Sequence, residues 1–175
     1  MENQNNNQRF LALGLPSGAF GLETGYRGEP YFCTPSGAEI IGWLGVDGIH
    51  FCFIPSLNSD MVFAVSPMPC SEHYVVPIAR TFEEFLALLL FCKDASLLES
   101  ISYVTETRFH ESVKEIAEYS SSAEDSAVDT LRLDIGIEPS PNAYESVKSL
   151  QADFDYTLIP FTDEYFYLTG AARTV

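Results

Sequence analysis

The histidines, cysteines and carboxylates are the side chains here that could carry a reaction or hold a metal, and their spacing sorts them. His50 and Cys52 stand two apart in an alternating apolar run, so on an extended strand they share one face. An imidazole beside a thiol is the minimal base and nucleophile of a cysteine hydrolase, or two ligands of a metal. The same face also suits packing beneath a covering layer. His73 and His110 have no histidine at ligand spacing, and His110-Glu111 is followed by lysine at position 114 where a zinc-protease helix needs a second histidine. Cys33, Cys52, Cys70 and Cys92 form no close pair, so they read as reduced and mostly buried, and no metal site is expected. Asp153, Asp155, Asp163 and Glu164 are the densest late carboxylates. They lack the D-x-D-x-D-G spacing of a calcium loop and read as turn and cap residues. Gly14 to Gly21 lacks the Gly-Lys-Ser/Thr ending of a phosphate loop. No spacing declares a reaction, so the expectation is a protein without enzymatic activity and without a cofactor.

The elements that would position these groups are clearer. Thr81 and Glu84 make a capping box, followed by Phe82, Phe85, Leu86, Leu89 and Leu90 at helical spacing, so a helix is predicted from Thr81 to about Cys92. Upstream, Ala38 to Leu44 and Ile49 to Ile54 flank the turn signal Val46-Asp47-Gly48 and should form an antiparallel hairpin, with Ile49, Phe51 and Phe53 on one face and His50, Cys52 and Ile54 on the other. Met61 to Val65 and His73 to Ala79 continue as strands, Pro77 marking an edge position or a bulge. Tyr31-Phe32-Cys33 reads as strand. The expected fold is α+β, an antiparallel meander sheet packed against helices on one face, with a helical and mixed C-terminal extension.

Within that extension, Ser96 and Glu99 form a second capping box, and Arg108 to Tyr119 is a helix burying Phe109, Val113, Ile116 and Ala117. Ser120 to Asp129 is expected to be a mobile loop, Leu131 to Ile137 a strand, and Ala143 to Leu150 a helix capped by Asn142 with Glu145. The aromatic stretch Phe154 to Tyr167 should be docked. Residues 1–9 read as a flexible polar tail and 10–175 as a single domain, with its core at about 38–91 and the extension at about 95–175.

Composition narrows the partners. With 175 residues, 46% of them hydrophobic, the chain can bury one substantial core. No apolar run reaches membrane length and the start lacks a signal-peptide pattern, so a cytoplasmic protein with no membrane association is expected. Nine basic against 25 acidic residues give a formal charge of −16. That balance disfavours direct contact with nucleic acid, whose phosphates need Lys and Arg, and favours a basic protein partner or serves solubility alone.

Asp47 to Ile54, then Met61 to Val65, then Val76-Pro77-Ile78-Ala79-Arg80-Thr81-Phe82-Glu83-Glu84-Phe85-Leu86 resembles the core of the SUKH superfamily, where a strand after an Asp/Gly turn, a second strand and an "ia-x-S/T-F-x-x-F-L" helix entry recur in this order. The resemblance covers about residues 38–91. Of the helix that precedes a Leu-Pro in that family only Leu15-Pro16 is matched, and the segment after residue 95 exceeds the family core. The resemblance implies an α+β fold and no known catalysis. Most bacterial members are immunity proteins that neutralise a toxin domain, often a nuclease, and the superfamily includes a fungal cell-wall synthesis regulator and a bacterial translocon-interacting protein.

The resulting expectation is an immunity protein with a basic toxin domain as partner. The candidate partner-binding residues are Trp43, as an anchor or as plain core packing, with Asp47, Asp60 and Glu72 on nearby turns. The competing readings are a regulatory or scaffold module that binds a peptide or small ligand, and a hydrolase built on Cys52 and His50.

Overall fold

The computed structural model describes residues 11–16, 18–24, 29–119, 122–134 and 136–173. The tail expected at 1–9 lies outside them. The fold is α+β. Four strands, β1 (Glu39–Trp43), β2 (His50–Ile54), β3 (Asn58–Val65) and β4 (Val75–Ala79), lie in the order of the chain and pair antiparallel throughout, which is the expected meander. Pro77 sits on the edge strand β4 opposite Phe63, where the register shifts, so both readings of that proline hold.

Helix α1 (Phe82–Cys92) packs on one face of the sheet. Thr81 Oγ1 accepts from the Glu84 N–H at 3.1 Å, as a capping box requires. Glu84 reaches one residue further back than the motif prescribes, accepting from the Arg80 N–H at 2.7 Å and from its guanidinium at 3.2 Å. The apolar stripe buries Phe85 against Phe51, ring centroids 5.5 Å apart, and Phe82 against Phe53 at 5.9 Å. The odd-numbered face of β2 therefore points at α1, as the alternation predicts. Helices α2 (Ala95–Ser100), α3 (Glu106–Ala117) and α5 (Ala143–Asp153) extend the same layer, contributing Leu98, Phe109 and Val147 to one continuous core.

The other face is covered too. Cys52, Ile54, Phe63, Val65 and Val75 pack with Cys33 beneath a C-terminal segment, where Ile159 is buried and Phe154, Phe161 and Tyr165 pack against the cluster. Phe63 meets Phe154 edge-on at 5.5 Å and Tyr74 meets Tyr165 at 5.8 Å. Ser36 N–H donates to Pro160 O at 2.6 Å, which ties this segment to the loop before β1. The aromatic stretch is docked as expected, and it includes α6 (Asp163–Thr169). No helix among the described residues is long and apolar enough to cross a membrane.

Several local expectations are corrected. Tyr31-Phe32-Cys33 is no strand: Phe32 and Cys33 form a turn closed by the Thr34 N–H donating to Tyr31 O at 2.8 Å and by the Tyr31 N–H donating to Thr34 Oγ1 at 2.9 Å. Helix α2 is capped by Asp94, whose carboxylate accepts from Ser96 N–H at 2.7 Å, while Glu99 is buried and accepts from the Tyr103 hydroxyl at 3.0 Å. Helix α3 begins earlier than expected, at a Thr105 cap, and leaves Ala117 exposed. The acidic stretch taken for a loop is helix α4 (Ser122–Asp129), held by burial of Ala127; residues 120 and 121 lie outside the described residues. The run read as a strand from Leu131 is a π-helical turn (Thr130–Asp134), with Leu131 buried and Leu133 exposed. Asn142 stands at the N-cap of α5 without a side-chain capping bond.

Truncating Phe85 removes a fully buried ring from the contact between α1 and β2. Phe85→Ala should cost about 3–5 kcal/mol and Thr81→Ala about 1 kcal/mol, read as lowered midpoints in urea unfolding.

Candidate functional site

The β1–β2 hairpin closes through Leu44 N–H to Ile49 O at 2.9 Å, with Gly45 to Gly48 forming the turn. Gly45, Asp47 and Gly48 all have positive φ, at 73°, 51° and 70°. Aspartate is among the few side chains that adopt this region readily. At the two glycines the requirement is steric as well. A Cβ on Gly45 would approach the Glu23 carboxylate to 2.7 Å, and one on Gly48 would collide with the edge of the Tyr31 ring. The turn is thus pressed against two segments that precede β1.

Both segments are fixed by backbone contacts. Glu23 and Trp43 exchange N–H···O bonds of 2.8 and 3.1 Å, an isolated antiparallel bridge on the outer edge of β1. Tyr31 is anchored through its own N–H, which donates to Thr34 Oγ1 at 2.9 Å. Thr34 Oγ1 lies 3.2 Å from His50 Nε2, and His50 Nδ1 lies 2.9 Å from Gly48 O. A carbonyl only accepts, so Nδ1 carries the proton and Nε2 accepts from the threonine hydroxyl. Burial holds the His50 pKa below its ordinary 6.5, partly opposed by the Gly48 bond, which agrees with a neutral ring. Tyr31, Trp43 and His50 form an aromatic cluster, with Trp43 to His50 centroids 4.4 Å apart and Tyr31 to Trp43 6.1 Å.

Above this cluster opens a cavity of about 350 Å³. Trp43 and Tyr31 form its aromatic wall, and Glu23, Glu29 and Asp47 supply carboxylates. Trp43 is 4% exposed and Tyr31 43%, so the first is a floor and the second a side of the opening. Among the described residues, none of the ion pairs reaches Glu23, Glu29 or Asp47. The arginines so engaged are Arg80, Arg108, Arg132 and Arg173, bound to Glu84, to Glu111 and Glu115, to Glu138 and to Asp163.

Of the residues expected to bind a partner, Trp43 and Asp47 meet in this cavity. Glu72 is exposed in the β3–β4 loop at the same end of the sheet, two strand spacings away, roughly 10 Å. Asp60 lies in β3 beside the β2–β3 turn, at the opposite end and on the order of 15 Å distant. The four do not form one patch. Glu23, Glu29, Tyr31 and Thr34 were missed, because nothing local in the sequence says that the segment before β1 folds back over the hairpin turn.

His50 and Cys52 share a strand face as expected, but both are fully buried, and burial pushes the Cys52 thiol far above its ordinary range. The neighbouring Cys33 is raised to about 11. A catalytic cysteine needs the reverse shift and an open approach. On the helical layer, His110 is joined by Glu106 one turn earlier and by Glu145 of α5, their ligand atoms within 4.8 Å of one another at the surface. Comparison of the chain with protein-family models, with curated proteins and with solved structures found no match.

Two outcomes test this geometry. Because the folded state disfavours protonated His50, its contribution is intact above pH 6.5 and is lost as the pH falls below that value. Urea midpoints between pH 5 and 8 should fall on the acid side, and His50→Gln should flatten that slope. Gly48→Ala should cost about 1–2 kcal/mol from its backbone conformation alone and shift Trp43 emission as Tyr31 is displaced.

Proposed function

We propose that this chain is a non-enzymatic protein-binding domain of SUKH type, acting as an immunity protein that masks a basic toxin domain. The observation that carries the reading is the cavity at the β1–β2 end, aromatic behind and acidic in front, on a chain of formal charge −16. An aromatic floor ringed by charge is the make-up of an interface anchor site, and a strongly acidic surface accelerates encounter with a cationic partner. Val46, 59% exposed at the tip of the turn, adds apolar contact area beside it. The Asp/Gly turn, the paired strands and the Thr81 helix entry that suggest the family all fold into one contiguous unit around β2.

A regulatory module is the second reading, favoured by the cavity itself, whose volume lies at the low end for small-ligand sites. Its carboxylates then restrict the ligand to a cationic one. The Cys52/His50 hydrolase is the weakest, since its nucleophile is buried and held protonated.

The test is affinity capture from the native cells at low salt, salt elution, and co-expression of what elutes. A basic domain should be released between low and moderate salt, and its toxicity should be suppressed by this chain. Release of acidic proteins only, or a captured domain whose toxicity persists on co-expression, would overturn the immunity reading. Double neutralisation, Asp47→Asn with Glu72→Gln, should weaken capture and flatten its salt dependence.

A further inference from the structure

We infer that the cavity at the β1–β2 turn is a receptor for one arginine side chain of the partner; this rests on the proposed reading that the partner is a basic protein. Three features converge on a guanidinium. The exposed acidic residues Glu23, Glu29 and Asp47 line a single space of about 350 Å³, and among the described residues no ion pair reaches them. Their charge complements a cation that enters the space they line. The wall is aromatic, and a planar cation lies favourably against such rings. The site is also built before any ligand arrives. Glycines at 45 and 48 let the Glu23 carboxylate and the Tyr31 ring close on the turn; the Thr34–His50–Gly48 hydrogen bonds hold the Tyr31 backbone, and its ring packs on Trp43 and His50.

Arginine fits better than lysine. Its guanidinium presents a flat face to Tyr31 and Trp43 and, at its edge, five N–H donors that match carboxylates in pairs. An ammonium offers neither the face nor the fork. A permanently methylated ammonium would use the rings but leave the carboxylates without donors, and among the described residues the rings that line the cavity are Trp43 and Tyr31, the latter half open to solvent. The anchor is therefore a side chain with both aromatic and hydrogen-bonding demand.

Trp43 is the only tryptophan in the chain and forms the cavity floor, so the site carries its own reporter. The experiment titrates the full chain with N-acetyl-arginine amide at constant ionic strength, following Trp43 emission and its indole N–H resonance. The matching citrulline amide serves as the neutral isostere and N-acetyl-lysine amide as the other cation. Because Arg27 lies in sequence between Glu23 and Glu29, the titrations are run on the native chain and on Arg27→Ala. A saturable change with the arginine amide in either protein, absent with citrulline and weaker with lysine, is the expected result. Glu23→Gln and Glu29→Gln should each weaken that binding about two- to fivefold, and Glu111→Gln on α3 should leave it unchanged. No saturable response in either protein, or equal responses to arginine and citrulline, overturns the inference. The broader reading is judged separately: a basic partner captured with unchanged affinity by Glu23→Gln and Glu29→Gln would retain the protein-binding function and reject this cavity as its arginine seat.

Discussion

Strand β2 has no polar face, and the rest of the molecule follows from that. All five of its residues, His50 to Ile54, are buried. Antiparallel sheets commonly leave one side to water, and a strand that alternates Phe51 and Phe53 with Cys52 and Ile54 cannot do so. One side takes α1 and the helices stacked on it, and the other takes the aromatic C-terminal segment. The length of chain after residue 95 is therefore structural. It supplies α3 and α5 to the first layer and Phe154 to Tyr165 to the second.

The one polar side chain on β2 is His50, placed at the end of the strand where the covering segment gives way to the hairpin turn. Burial there demands a partner for each ring nitrogen, and the chain meets the demand with Thr34 on one side and Gly48 O on the other. Those two bonds join the segment before β1 to the turn after it. Tyr31 is held by the same threonine, so satisfying a buried imidazole also fixes the side of the cavity. A histidine whose spacing suggests a catalytic base is here a structural pin between the segment before β1 and the hairpin turn.

What could be read from the sequence was whatever is determined within a few residues. The Thr81 cap, the stripe from Phe82 to Leu90 and the alternation of β2 are local signals, and each corresponds to an element. The Asp47-Gly48 turn was legible because few residues tolerate its backbone angles. The misreadings fall where tertiary contact outweighs local pattern. Leu131 to Ile137 alternates like a strand, yet no edge is offered to it, since β4 is flanked by α5 and β1 by the Glu23 bridge. The stretch before Asp129 reads as too acidic to order, but Ala127 is buried and Val128 packs against the core, which gives the helix an apolar side. Half of the cavity was invisible for the same reason: Trp43 and Asp47 belong to the hairpin, whereas Glu23, Glu29 and Tyr31 come from chain that reaches it only through the fold.

This division of labour separates total charge from site charge. A surplus of 16 negative charges acts at a distance, is screened within about 8–10 Å by physiological salt, and so would govern how fast the proposed basic partner arrives. Carboxylates set against an aromatic wall act at contact, where less water intervenes and screening counts for less. If recognition rested on the diffuse charge alone, any polycation would serve and specificity would be low. A preformed cavity with a fixed ring on its side adds a shape requirement that a surface of scattered acids cannot impose. Helix α3 carries Glu106, Glu111 and Glu115, but its Arg108 is already engaged with two of them. The end of the sheet at Asp47 is where charge, ring and enclosure coincide, and a discriminating contact has its strongest physical basis there.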